Sequence, residues 1–255
     1  MVVNTTYLFN RLLEKLGVDV ICDVGSMDGS DALRFRGARP AATIYAFECN
    51  PENLRQMRED ARLSAGDIRV VPSAVSDQDG EADFFLVPAD YSYSHRNDAR
   101  GMSSLYRRPS AVPPEAVRVA TTRLDTFFRD KCTPRTRLGL WIDTEGKSFE
   151  VIRGASGIAR QVRVLHLEVE TTSYVAPGQK LYPQVKAQLE ELGFSEVATD
   201  KSTSHAQFNA VFVRSGADPL LLLWLKTYLL RDQLGMRLSA LLSRLRSQGA
   251  ERRAR

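Results

Sequence analysis

Residues 18–31, VDVICDVGSMDGSD, decide the fold. Val18 to Val24 form a mostly apolar run rich in β-branched residues, as expected of a strand covered on both faces. Gly25, Ser26, Asp28 and Gly29 then supply turn chemistry, and a helix is predicted around Asp31–Arg36. Strand, tight loop and helix in that order make a βα unit. Downstream, TIYAFE (43–48) breaks at Asn50-Pro51, a good N-cap followed by a good first helical residue for PENLRQMREDARLSAG. The pattern has repeated.

Further runs follow at IRVVPSAVSD (68–77) and at ADFFLV (82–87), the latter read as a fourth strand beside the turn Asp-Gln-Asp-Gly. Two more strands, RLGLWIDTEG (137–146) and VRVLHLEVE (162–170), flank a helical segment containing Phe149, Val151 and Ile152. Alternation puts Trp141, Asp143 and Glu145 on one face of the first, and His166, Glu168 and Glu170 on one face of the second. An amphipathic helix at 181–192 stops at Gly193, and FSEVATD with AQFNAVFVR reads as a closing hairpin. Strands alternating with helices predict an α/β fold, doubly wound around a mostly parallel sheet with antiparallel strands at one edge.

Upstream, Leu8, Leu12, Leu13 and Leu16 fall at helical spacing. The expected organisation is therefore an N-terminal helix (1–18), an α/β domain (19–214) and a C-terminal amphipathic helix with a basic tail (215–255). The chain has 255 residues and 43% hydrophobic content, enough for a buried core. Its net charge is only +4, and the excess of basic residues sits in the tail rather than on the α/β domain, which argues against a nucleic-acid binder. Three cysteines, Cys22, Cys49 and Cys132, are without metal-ligand spacing and odd in number, and no signal-peptide pattern or membrane-length apolar run occurs. Reduced thiols and a cytoplasmic location are the expectation. Leucines recur along the tail through Leu230, Leu234, Leu238, Leu241 and Leu245, with arginines between them. That helix packs on its own domain, pairs two subunits or rests peripherally on an anionic membrane; subunit pairing into a homo-oligomer is the expectation. The polar stretch 88–117, with His95 among Tyr91, Tyr93 and Arg96, reads as a lid or a solvated surface.

Ligands of such sheets bind where the strands end, and Asp23, Glu48, Asp143, Glu145, Glu168 and Glu170 all fall at or just past predicted strand ends. Gly25 and Gly29 lack the G-x-G-x-x-G spacing of a pyrophosphate site, which disfavours a nicotinamide-dependent oxidoreductase. Acids at Asp23 and Asp28 would repel a diphosphate but suit an ammonium and a sulfonium, so the expected cofactor is S-adenosylmethionine. Glu48 stands where a carboxylate can accept bonds from both ribose hydroxyls.

With these residues in order, the chain resembles the FkbM-type S-adenosylmethionine-dependent methyltransferases of the seven-stranded Rossmann-like class. The resemblance rests on DVGSMDGSD, AFECNPEN, VVPSAVSDQDG, SSL at 103–105, TRLDTF at 122–127 and IDTEGKSFEVIRGA at 142–155. It implies a seven-stranded sheet and methyl transfer to a hydroxyl oxygen of a sugar, glycan or natural product. It further implies cofactor contacts from Asp23, Gly25, Ser26, Asp28, Gly29, Glu48, Cys49, Asn50, Ser73, Ala74 and Asp143. Two departures stand out: Trp141 replaces a common lysine, and Lys147-Ser148-Phe149-Glu150 replaces the acid that often follows Glu-Gly-Ala.

Candidate bases are Asp143 and Glu145, then His166. A competing arrangement places Mg²⁺ among Asp143, Glu145, Glu168 and Glu170, holding the acceptor through hard oxygen ligands. A non-enzymatic alternative is a degenerate member of the fold that serves assembly through its tail helix.

Overall fold

The computed structural model describes residues 2–87, 100–109, 115–173, 175–202, 204–216 and 219–231. Tyr91, Tyr93, His95 and Arg96, and the tail from residue 232 onward, lie outside them.

A seven-stranded sheet runs β3-β2-β1-β7-β8-β10-β9. Its members are β1 (Val20–Val24), β2 (Thr43–Glu48), β3 (Ile68–Pro72), β7 (Leu138–Ile142), β8 (Val162–Glu170), β9 (Phe194–Thr199) and β10 (Gln207–Arg214). The first five in that spatial order are parallel to one another, and β10 is antiparallel to both β8 and β9. The expected hairpin therefore forms with β10 inside the sheet and β9 at its edge. Strand order reverses between β1 and β7, which creates a crevice at their carboxyl ends.

Helices cover both faces because the strands are apolar on both. Ile21 and Ile44 face a layer made by α1 (Thr5–Lys15), α2 (Ser30–Ala38), α3 (Pro51–Glu59) and α4 (Ala61–Ala65), where Leu8, Phe9, Leu12 and Phe35 are fully buried. Cys22, Val24 and Leu140 face the opposite layer of α5 (Leu124–Phe128), α6 (Ser148–Gly154) and α7 (Tyr182–Glu191). The helix expected from Pro51 onward is split, because Asp60 leaves helical geometry and caps a second short helix through the N–H of Arg62.

One element of the expected sheet lies elsewhere. The segment 82–87, read as a fourth strand, falls almost wholly in β5 (Gly80–Leu86), which belongs to a separate sheet ordered β4-β6-β5, with β4 at Ala74–Val75 and β6 at Glu115–Thr122. The strand β6 lies partly inside the stretch read as irregular. Its alternation is easy to miss because five of its eight residues are exposed or half-exposed polar or small side chains. This small sheet packs Ala74, Phe84 and Val119 together and walls one side of the crevice.

Residues 219–231 form a helix, α8. Its inner face reaches the α1 layer through Leu225 and Leu229, with Tyr228 stacked on Tyr7 and Lys15 over the Trp224 ring. Among the described residues, no helix is long and apolar enough to cross a membrane.

Candidate active site

The crevice opens into a cavity of about 230 Å³ lined by residues from every strand end around it. Gly25 marks its floor. At φ +83° it occupies the left-handed region, and a Cβ there would lie 1.8 Å from the carbonyl oxygen of Asp143, so only glycine lets β1 and β7 close together. The N–H groups of Gly25 and Ser26 both donate to the Phe47 carbonyl, tying the first loop to the second strand.

Glu48 is the hub of that tie. Its Oε1 accepts from the backbone N–H of Cys49 (2.8 Å) and Asn50 (2.6 Å), and its Oε2 accepts from Met27 N–H (2.7 Å). Burial raises its pKa above the usual carboxylate range, and these three bonds oppose the shift. The carboxylate thus fixes the loop after β1 against the start of α3 while lining the cavity.

Across the cavity stand Asp143, Glu145 and Glu168, whose carboxylates offer oxygens within 4.8 Å of one another. Asp143 is exposed and follows β7, its N–H bonded to Val24. Glu145 is 5% exposed and pairs with Arg108 at 2.5 Å. The Glu145 backbone, at φ +45°, accepts from Ser104 Oγ, so the segment 100–109 is fastened directly to the acidic turn. Glu168 accepts from Gln207 Nε2 at 2.7 Å. Glu170 lies deeper, 2% exposed, and burial together with nearby Glu145 pushes it up to about 7.

Of the cofactor contacts expected from sequence, Gly25, Glu48, Cys49, Ala74 and Asp143 line the cavity. Ser26, Gly29, Asn50 and Ser73 do not; they cap, turn or brace the backbone behind it. The two acids thought to face a cation are corrected by their surroundings. Asp28 points outward and accepts from Ser30 N–H, and Asp23 is fully buried, with Oδ2 accepting from Ser26 Oγ and Oδ1 unpartnered. Burial pushes Asp23 up to about 8, so near neutrality it is largely uncharged. The negative rim is instead Glu48, Asp143, Glu145 and Glu168.

The raised pKa of Asp23 fixes a sign. The folded protein keeps a proton that the unfolded chain releases near the ordinary value of 3.8, so this stabilisation is complete below that value and is lost as pH rises through about 8. An Asp23→Asn variant should show a flatter melting temperature between about pH 5 and 9 than the parent. An equally steep decline in the variant would refute the assignment.

His166 does not reach the cavity. Its ring stacks on Trp141 at 3.5 Å and 6°, Phe9 packs against its edge, and Nε2 meets Thr5 Oγ1 at 3.1 Å. Complete burial, then Arg34, keeps its pKa well below the usual value, so it is a neutral core residue rather than a base. Strand register β7–β8 pairs it with Trp141. His166→Phe, which retains the stack and loses one hydrogen bond, should cost about 1 kcal/mol in thermal unfolding and leave kcat unchanged. A catalytic base would lose on the order of 10²–10⁴-fold.

Residues not anticipated complete the wall: Asn53, Phe84, Gly101, Ser103, Thr144 and Lys147 line it. Lys147 sits 3.6 Å over the Tyr106 ring and pairs with Glu150. The motif spacing carried no signal for Arg108, 37 residues from its partner.

The family model described as "Methyltransferase FkbM domain" matches residues 23–196. The chain belongs to this family. The FkbM match begins at Asp23 and ends inside β9, so it takes in every rim carboxylate. The curated 2-O-methyltransferase NoeI of Sinorhizobium fredii is 30% identical over 167 residues, 62% of this chain and 65% of that protein. The match thus spans just under two thirds of the relative. Among solved structures, precorrin-6y C5,15-methyltransferase from Geobacter metallireducens GS-15 is similar at 13% identity and TM-score 0.43, covering 83% of this chain and 87% of that one. The N-terminal domain of EvdMO1, with SAH and D-fucose, is similar at 12% identity and TM-score 0.44, covering 83% and 82%.

Proposed function

We propose that the protein is an S-adenosylmethionine-dependent O-methyltransferase acting on a hydroxyl of a sugar, glycan or natural product. The observation that carries this reading is the ring of four carboxylates, Glu48, Asp143, Glu145 and Glu168, around one cavity at the switch point of an FkbM domain. The residues fit such a donor: the rim is anionic, Gly25 leaves room for close backbone approach, and Ala74, Val75 and Phe84 give an apolar side for a base. Bound there, the donor supplies a methyl group on a positively charged sulfur.

The chain contributes placement and a proton acceptor. Glu48, anchored by three N–H groups, presents its remaining acceptor capacity to the donor's sugar hydroxyls. Asp143 accepts a hydrogen bond from the acceptor hydroxyl and takes up its proton. Glu145 is held by Arg108, so it shapes the electrostatic field and positions the segment 100–109. Arg108 also brings to this cluster the positive charge for which Mg²⁺ was the sequence-level alternative. The kinship with a protein named a 2-O-methyltransferase favours a hydroxyl acceptor.

Calorimetric titration with S-adenosylmethionine, S-adenosylhomocysteine and NAD⁺, followed by transfer of labelled methyl to a panel of glycosides with and without EDTA, tests the reading. Binding of the first two only, with EDTA-insensitive transfer, is expected. Affinity for the dinucleotide, or donor binding without transfer to any hydroxyl, would overturn it.

A further inference from the structure

The outer face of α8 is exposed among the described residues. Leu220, Leu223 and Leu230 are 73%, 63% and 57% exposed, and Leu222 is 44% exposed. These four make up most of the exposed large apolar side chains among the described residues, the others being Val2 and Tyr7. At 100° per residue, positions 220, 223 and 230 share one stripe, directed away from the inward pair Leu225 and Leu229. Lys226 and Arg231 border that stripe.

Beside it lies a hollow of about 570 Å³ whose lining combines Leu220, Leu221 and Trp224 with Lys15, Arg137, Arg163 and Arg214. Arg137 is neutralised by Asp19, but no carboxylate among the described residues comes within ion-pair range of Lys15, Arg160 or Arg163. Arg214 feels the charges of both Arg160 and Arg163, so three guanidinium groups crowd this end of the sheet. An exposed leucine stripe with a cationic margin is the pattern of a helix that lies in a membrane interface rather than across it. No described helix is long and apolar enough to span one.

We propose that α8 and the adjoining basic hollow dock the protein on an anionic phospholipid bilayer, with the leucines entering the headgroup boundary and Lys15, Arg163, Lys226 and Arg231 meeting lipid phosphates. Charge selects this occupant over a second copy of the chain. A symmetric dimer through the same patch would set these cations against their own equivalents, whereas an anionic surface neutralises them.

Flotation of the full-length protein with vesicles of neutral phosphatidylcholine, and with vesicles containing about a third phosphatidylglycerol, tests the inference. Binding to the anionic vesicles alone is expected, falling steeply as salt is raised. Leu223→Gln with Leu230→Gln should weaken it by about tenfold or more, and Lys15→Glu with Arg163→Glu to a similar degree, while circular dichroism and melting temperature stay near those of the parent. Equal binding to both vesicle types, or none to either, would overturn the proposal. So would a concentration-dependent dimer in sedimentation that the leucine variants dissolve while vesicle binding is absent, since the face would then belong to self-association.

Discussion

Glu48→Ala should reduce affinity for S-adenosylmethionine by at least about a hundredfold and lower the melting temperature together with it. Both effects follow from one carboxylate. Its removal takes away the acceptor offered to the donor and leaves the N–H groups of Met27, Cys49 and Asn50 without their partner at the junction of two loops. A buried donor left unpaired costs roughly 1–3 kcal/mol, and water entering the vacated volume recovers part of that. Glu48→Gln is the sharper probe, because its amide retains shape but turns an acceptor into a donor facing a backbone N–H. Calorimetry and thermal unfolding of both variants provide the check. Parent-like donor affinity in Glu48→Ala would remove this residue from the site.

Asp143→Asn is expected to act on the other axis. Turnover should fall by on the order of 10²–10⁴, the usual worth of a positioned base, while donor affinity changes only a few-fold. The backbone of Asp143 anchors to Val24, and that bond survives the substitution, so the cavity floor keeps its form. A raised KM with intact kcat would instead mean that Asp143 only binds the acceptor. The paired outcome, affinity lost at Glu48 and rate lost at Asp143, separates the two halves of the cavity.

Much of this site could be read from the chain because its parts sit at strand ends. A strand end is recognisable from a few neighbouring residues: the apolar run into Asp23-Val24-Gly25, the break at Glu48 before Asn50-Pro51, and the acids after Ile142 all announce themselves locally. What failed to show was anything set by long-range packing. Asp23 sits among acids in the sequence, yet its exposure depends on α2 folding over it, so the charge expected there is largely absent at neutral pH. His166 shares a strand face with Glu168, but alternation gives the face and not the depth, and the stack on Trp141 comes from β7–β8 register. Arg108 emerged from a polar stretch with no periodic pattern, and only the fastening of Ser104 to Glu145 shows why that stretch matters. The small sheet escaped for the same reason, since β6 has few buried side chains and pairs with β5 across a long connection.

The parallel run of β1, β2, β7 and β8 gives the domain two poles. The carboxylate ring crowns one, and Arg137, Arg163 and Arg214 gather at the other, where β7 and β8 begin and β10 ends. The nine residues of β8 hold the poles roughly 26 Å apart at about 3.3 Å per residue, just over three screening lengths in physiological salt. A charge at the basic pole therefore makes no direct contact with Asp143, and docking there, as proposed above, leaves the mouth at the opposite end of the sheet, on the aqueous side.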